Sequence, residues 1–205
     1  MQPLDTAGRR AAIRVEMRSR RASLDDDDQA AAAMAVLARL ARMAIVREAR
    51  LAAGYHGARG EVEIAAAMIL LAEQGVTITT PRVRGDHIEF IVTDETTPMT
   101  IGSFGIPEPA EGEIVTVDRH DLILVPLVAF DSAGRRLGQG GGFYDRALAD
   151  TVRRPLVDRP ALIGIAHAFQ QVGELPMEPW DVPLDAIVTE EGIVEVTAGA
   201  GDRAG

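Results

Sequence analysis

Short uncharged apolar runs separated by helix-length segments recur along this 205-residue chain. Leu122–Val128 (LILVPLV) and Ala161–Ala166 (ALIGIA) contain no charge and no polar alternation. A strand that is apolar at consecutive positions must be covered on both faces. That condition is met by a mostly parallel sheet between helices. The other segments read in the same sense. Arg9–Arg21 is predicted as a basic helix, with Arg10, Arg14, Arg18 and Arg21 on one face and Ile13 and Met17 turned inward. Asp25–Asp28 offers N-caps for a helix over Gln29–Arg47. A strand over Arg50–Tyr55 ends before Gly57 and Gly60. A helix over Val62–Gln74 is closed by Gly75, and a strand over Val76–Thr80 is stopped by Pro81. His87–Thr93, Ala161–Ala166 and Ala186–Thr189 are further strands, Thr97–Gly112 is a loop, and Phe143–Thr151 is a helix. Leu122–Val128 should carry Pro126 at its end. The expected architecture is α/β: a single domain over residues 1–198 with a mostly parallel, Rossmann-like sheet and helices on both faces. Residues 199–205 are expected to form a disordered tail.

Composition narrows the chemistry. The chain has no cysteine, which excludes disulfides, thiolate metal sites and cysteine nucleophiles. All 21 Lys-plus-Arg residues are Arg, which excludes a Schiff-base lysine and the lysine of a Walker loop. A formal net charge of -10 disfavours nucleic acid as a partner, so an anionic ligand needs a local positive site. No run reaches a membrane-spanning length, and Met1–Arg10 lacks the apolar core of a signal peptide; the chain reads as cytoplasmic and is expected to be a monomer.

The richest stretch is Asp121–Leu148 (DLILVPLVAFDSAGRRLGQGGGFYDRAL). A buried strand leaves into a loop carrying Gly138, Gly140, Gly141 and Gly142, then opens a helix. Glycines let several backbone N–H groups turn toward one point, and a helix start adds its free amides, so the segment is suited to a triphosphate. The bland alternative is a flexible glycine turn. Phe143 stands where a dinucleotide fingerprint needs Gly. Asp145, in the first helical turn, would repel a phosphate unless a cation such as magnesium bridges them; otherwise it is a carboxylate favouring the helix dipole. Asp181, in LPMEPWDVPLD, is a second candidate carboxylate, or else a loop cap. Four segments should meet at the carboxyl ends of the strands, where such sheets bind ligands: His56–Glu61, Pro81-Arg82, Phe130–Asp145 and Ala166–Gln170.

The segment RRLGQGGGFYDR (Arg135–Arg146) resembles the signature of the 5-formyltetrahydrofolate cyclo-ligases, also called methenyltetrahydrofolate synthetases. VPLVAFD is similar to the family's VPGVAFD, with Leu127 for glycine. RAAIR (Arg10–Arg14) resembles its K-x-x-L-R stretch, with Arg10 for lysine. GEVEI, TPR, GIPEP, LPMEPWDVPLD and IVTE follow in order, so the resemblance covers about Arg10 to Glu190. It implies ATP- and magnesium-dependent closure of 5-formyltetrahydrofolate to 5,10-methenyltetrahydrofolate, with ADP and phosphate released. It implies that Arg10, Arg14, Arg136, Leu137, Gly138, Gln139, Gly140, Gly141, Gly142, Phe143 and Tyr144 contact ATP. Folate is implied for His56, Glu61, Phe104, Gly140, Gly141, Gly142 and Tyr144, magnesium for Asp145 and Asp181, and chemistry for Arg136, Tyr144 and Asp145. The partners implied are 5-formyltetrahydrofolate and ATP. Without the resemblance, the stripe of arginines is a solvated face, Glu61 a helix-terminal carboxylate, and Phe104 and Tyr144 core packing. The rival readings are a non-catalytic folate- or nucleotide-binding protein, or a phosphosugar- or CoA-using enzyme on a similar sheet.

Overall fold

The computed structural model describes residues 5–196; the tail expected over 199–205 lies outside them. Its centre is an eight-stranded mixed sheet. In chain order the strands are β1 (Leu51–Ala53), β2 (Thr77–Arg84), β3 (His87–Val92), β4 (Met99–Ile101), β5 (Pro107–Pro109), β6 (Ile114–Val115), β7 (Leu122–Pro126), β8 (Ala129–Phe130), β9 (Arg136–Leu137), β10 (Ala161–Ile165), β11 (Ala186–Val188) and β12 (Ile193–Glu195). The sheet order is β12-β11-β10-β7-β1-β2-β3-β6, while β4–β5 and β8–β9 form separate two-stranded pairs. The five strands from β11 to β2 run parallel; β12, β3 and β6 are antiparallel additions at the edges.

The helices are α1 (Thr6–Ala22), α2 (Asp26–Leu40), α3 (Ala44–Glu48), α4 (Ala65–Glu73) and α5 (Phe143–Leu148). The uncharged strands are buried on both sides, as their composition demands. Leu122 and Leu124 pack with Val36 and Leu40 of α2 and Met68 and Leu71 of α4. Ile123 and Val125 point the other way, against Phe90, Leu148 and Leu184. Helix α1 lies instead across the loops beyond β7, with Met17 against Val128, Ala129 and Leu137.

Several elements differ from their predicted bounds. The long second helix breaks at Ala41–Met43 and restarts as α3, capped at Asp25 but carrying no glycine or proline at the break. Pro81 does not stop β2, which continues to Arg84. The β1 register ends at Thr79, so the missing N–H of Pro81 falls where β2 has no neighbour on that side. The Thr97–Gly112 loop contains the β4–β5 hairpin, whose Pro107 and Pro109 mask it as loop. The helix predicted to Thr151 ends at Leu148 and gives way to a 3-10 turn over Thr151–Arg153. Of the four arginines grouped on one face of α1, Arg21 is buried, against the alternative of a wholly solvated stripe.

This topology fixes the site. From β1 the chain goes to β2 on one side and later returns to β7 on the other. The strand order therefore reverses between β1 and β7, where loops diverge and leave a crevice at the carboxyl ends.

Candidate active site

Two openings lie at that crevice, separated by the glycine loop. One is a mainly apolar cavity of about 270 Å³. Its wall includes Tyr55, His56 and Glu61 after β1, Pro81 and Val83 of β2, Pro126 of β7, and Phe104 and Glu108 of the β4–β5 hairpin. The other is a more polar cleft of about 650 Å³, with Pro179, Trp180 and Asp181 on its outer side. Gly141, Gly142 and Asp145 border both.

The loop is held in an unusual electrical sense. Arg14 Nε donates to the Gly138 carbonyl at 2.9 Å, Arg18 Nη2 to the Gln139 carbonyl at 3.0 Å, and Arg146 Nη2 to the Gly141 carbonyl at 2.9 Å. Among the described residues, the backbone amides of residues 138–142 donate no hydrogen bond within the protein. Three carbonyls are thus occupied by arginines while the amides stay available, the polarity an anion requires. Gly140 (φ 109°) and Gly142 (φ 66°) supply left-handed geometry that a side chain would strain. Helix α5 has only six residues, so the loop amides rather than a long helix dipole carry this character.

The expected nucleotide residues converge here. Arg14 approaches Gly140 to 3.8 Å of an added Cβ, and its two terminal nitrogens have no protein hydrogen bond. Burial first, then the neighbouring charges of Arg10 and Arg18, push its pKa below the ordinary arginine value. A phosphate would relieve that crowding of like charges. Arg10 is engaged differently: it forms a two-pronged ion pair with Asp181, with Nη2 to Oδ1 at 3.0 Å, and also donates to the Pro176 carbonyl. Burial raises the Asp181 pKa, but the Arg10 hydrogen bonds and the Glu178 N–H outweigh it, leaving the carboxyl below its usual range.

Arg136 is buried and donates from Nη2 to Asp145 Oδ1 at 2.7 Å; the Val182 N–H reaches the same oxygen at 3.2 Å. Burial lowers the Arg136 pKa and the Asp145 charge opposes that shift. Asp145 and Asp181 open on one cleft beside the glycine amides. Among the described residues no cluster of three or more His, Cys, Asp or Glu has metal-binding geometry. Asp145 keeps Oδ2 without a protein hydrogen bond among the described residues, whereas both Asp181 oxygens are held by Arg10 and the Glu178 N–H. Asp145 is therefore the carboxylate open to a cation such as magnesium, which takes one or two carboxylates and completes its shell with other oxygens.

On the cavity side, Glu61 receives Gln139 Nε2 at 2.9 Å and the Ala58 N–H at 3.3 Å. The Tyr144 hydroxyl is buried without a partner, and its ring meets Phe90 edge-on at 6.5 Å. Burial, followed by the Glu61 charge, raises the Tyr144 pKa, so the phenol stays protonated and able to donate. Phe104, 48% exposed, meets Phe143 edge-on at 5.5 Å across the cavity mouth. His56 lines the wall, and Leu137 is buried beneath the loop against Met17. Ala166–Gln170 stays behind the cavity: His167 Nε2 donates to the Gly60 carbonyl at 3.0 Å. Arg135 faces away, toward Glu174.

The profile of the 5-formyltetrahydrofolate cyclo-ligase family matches residues 6–190. The chain belongs to that family. A Haemophilus influenzae 5-formyltetrahydrofolate cyclo-ligase is 34% identical over 181 residues, spanning 86% of this chain and 95% of that protein. The Aquifex aeolicus 5,10-methenyltetrahydrofolate synthetase structure superposes with a TM-score of 0.79 at 29% identity, covering 93% of this chain and 94% of that one. The Mycoplasma pneumoniae synthetase gives 0.72 at 26% identity, covering 89% and 99%. These cyclo-ligase relatives share the sheet that builds the two openings. Glu108 and Trp180, which line the two openings, and Arg21, which pairs with Glu61, were not anticipated. Glu108 and Trp180 sit within the quoted GIPEP and LPMEPWDVPLD segments, but nothing marked them singly. Arg21 gave no signal beyond helical spacing.

Proposed function

We propose that this chain converts 5-formyltetrahydrofolate to 5,10-methenyltetrahydrofolate with consumption of ATP. The observation that carries the reading is the glycine loop with unpaired amides standing between an apolar cavity and a polar cleft. The cavity suits a pterin: flat apolar walls, the Glu61 carboxylate for its N–H edge, and Phe104 and Tyr144 beside it. The cleft suits a nucleotide, with phosphates on Gly140–Gly142 and Arg14 and the base toward Trp180. A γ-phosphate on the loop then faces the N5-formyl oxygen.

The formyl oxygen attacks the γ-phosphorus, the bond to the ADP oxygen breaks, and a phosphorylated iminium forms. N10 attacks the formyl carbon and closes the ring, N10 loses its proton to solvent, and phosphate leaves with the original formyl oxygen to form the methenyl C=N bond. Magnesium, held by Asp145, would neutralise phosphate charge. The chain's own groups orient and stabilise. Loop amides and Arg14 hold the phosphates, Arg136 fixes Asp145, and the Tyr144 hydroxyl offers a proton donor inside a dry wall. No strong general base is demanded, consistent with the lack of a triad among the described residues. The test is absorbance of the methenyl product with purified protein, 5-formyltetrahydrofolate, ATP and magnesium. Folded protein that yields no product under these conditions would refute the proposal.

A further inference from the structure

The bulkiest fully buried side chain among the described residues is a charged one, Arg21 of α1. It is 0% exposed, and none of its three guanidinium nitrogens makes a hydrogen bond. Its ion-pair partner is Glu61: Nη1 lies 3.4 Å from Oε1, and the glutamate side chain is 10% exposed at the cavity wall. Burial lowers the Arg21 pKa and the Glu61 charge offsets part of that. Stability alone does not account for this residue. Replacing a buried ion pair with apolar side chains is often neutral or favourable, whereas an isolated buried charge is costly.

The backbone beside it is fitted to the arrangement. Residues 58–61 form a tight turn, with the Glu61 N–H on the Ala58 carbonyl at 3.0 Å and positive φ at both Arg59 (54°) and Gly60 (74°). A Cβ at Gly60 would lie 3.0 Å from the Arg21 carbonyl oxygen and 3.2 Å from the Arg21 Cβ. The turn therefore rests directly on α1, and His167 holds the Gly60 carbonyl as well. Around the carboxylate stand Arg21 from α1, Gln139 from the glycine loop and the Ala58 amide from the turn; the cavity takes the remaining side.

We propose that Arg21 is a positioning residue that holds the Glu61 carboxylate aimed at the donor edge of the bound pterin, without itself touching substrate. The inference rests on the assignment of Glu61 to folate. A carboxylate presented squarely accepts two N–H groups at once; a rotated one accepts at most one of them.

A double-mutant cycle tests it. Glu61→Gln, Arg21→Met, the double variant and Arg21→Lys are compared by initial rates, with folate and ATP varied separately, and by melting temperature. Each of Glu61→Gln and Arg21→Met is expected to raise the folate KM about tenfold or more and to leave the ATP KM within about twofold. The double variant should be no worse than Glu61→Gln alone, because Arg21 acts through Glu61. Arg21→Lys should recover most of the folate affinity. If Arg21→Met fails to fold, Arg21→Lys takes its place in the cycle, and its smaller effect should still vanish in the Glu61→Gln background. Additive effects, or equal losses for ATP and folate, would make Arg21 merely structural. An unchanged folate KM in Glu61→Gln would remove the pterin assignment itself, and with it the role of Arg21.

Discussion

Arg136 and Asp145 form an ion pair, 2.7 Å between Nη2 and Oδ1, in the wall of the apolar cavity, and Asp145 also borders the polar cleft. Arg136 is 4% exposed, so its charge is compensated chiefly by this one carboxylate. Asp145→Asn keeps a hydrogen-bond acceptor but removes the charge. Turnover is expected to fall about 100-fold or more, the scale of losing a principal electrostatic group, with a lower melting temperature because Arg136 is left unpaired. Metal-free ATP should bind the variant at least as well as the parent, since a repulsive charge has gone. Turnover against magnesium concentration and calorimetry in chelator check both; parental turnover with parental magnesium dependence would reassign Asp145 to the structure alone.

Arg10 tests the first helix. It spans Asp181 with two nitrogens, a geometry that lysine cannot reproduce although it keeps the charge. Arg10→Ala should weaken ATP binding by about tenfold, near the loss of one charge-assisted bond, and Arg10→Lys should restore most of it. Calorimetric titration of both variants decides; unchanged ATP affinity in Arg10→Ala would leave Arg10 only a brace for Asp181.

Tyr144 carries a buried hydroxyl with no partner. Removing an unsatisfied buried group relieves a desolvation cost of about 1–3 kcal/mol. Tyr144→Phe is therefore expected to melt at the same temperature or higher while losing turnover. A fall in both quantities would show that the hydroxyl is engaged in the free protein.

Trp180 is the chain's single tryptophan and is 66% exposed at the cleft. Its fluorescence should change on titration with ATP and stay constant with 5-formyltetrahydrofolate alone. The opposite pattern would exchange the ligands assigned to the two openings.

His120 and His167 supply a pH prediction. The Thr116 carbonyl accepts the Nδ1–H of His120, and the Thr79 hydroxyl donates to its Nε2. Burial lowers both histidine pKa values below 6.5. The unfolded chain then binds protons that the folded one does not, so stability rises with pH in this window. Melting temperature should be level above about pH 7 and fall as pH drops below about 6.5. His120→Gln should flatten part of the slope; an unchanged slope in that variant would rule His120 out as a contributor.

The central strands were legible because Leu122–Val125 and Ala161–Ile165 leave no polar side to face water. The glycine loop was legible because clustered glycines have few structural uses. Other parts depended on tertiary placement. Pro81 reads as a stop until β1 is seen to end beside it. Pro107 and Pro109 conceal β5 because edge strands tolerate proline. Helical spacing groups Arg21 with Arg10, Arg14 and Arg18, and nothing local announces that residues 58–61 will fold over it. The commitment of Arg10 to Asp181 was equally invisible, because 171 positions separate them.

That separation governs how the protein is made. Helix α1 is translated well before the partner of Arg10, which follows 171 positions later. At about 5–20 residues per second, the interval is on the order of ten seconds or more. Until the glycine loop emerges Arg14 and Arg18 lack their carbonyl partners, and until Asp181 emerges Arg10 lacks its own. A product terminated before Asp181 therefore holds the loop sequence and its arginines but lacks the Arg10–Asp181 clasp beside the cleft.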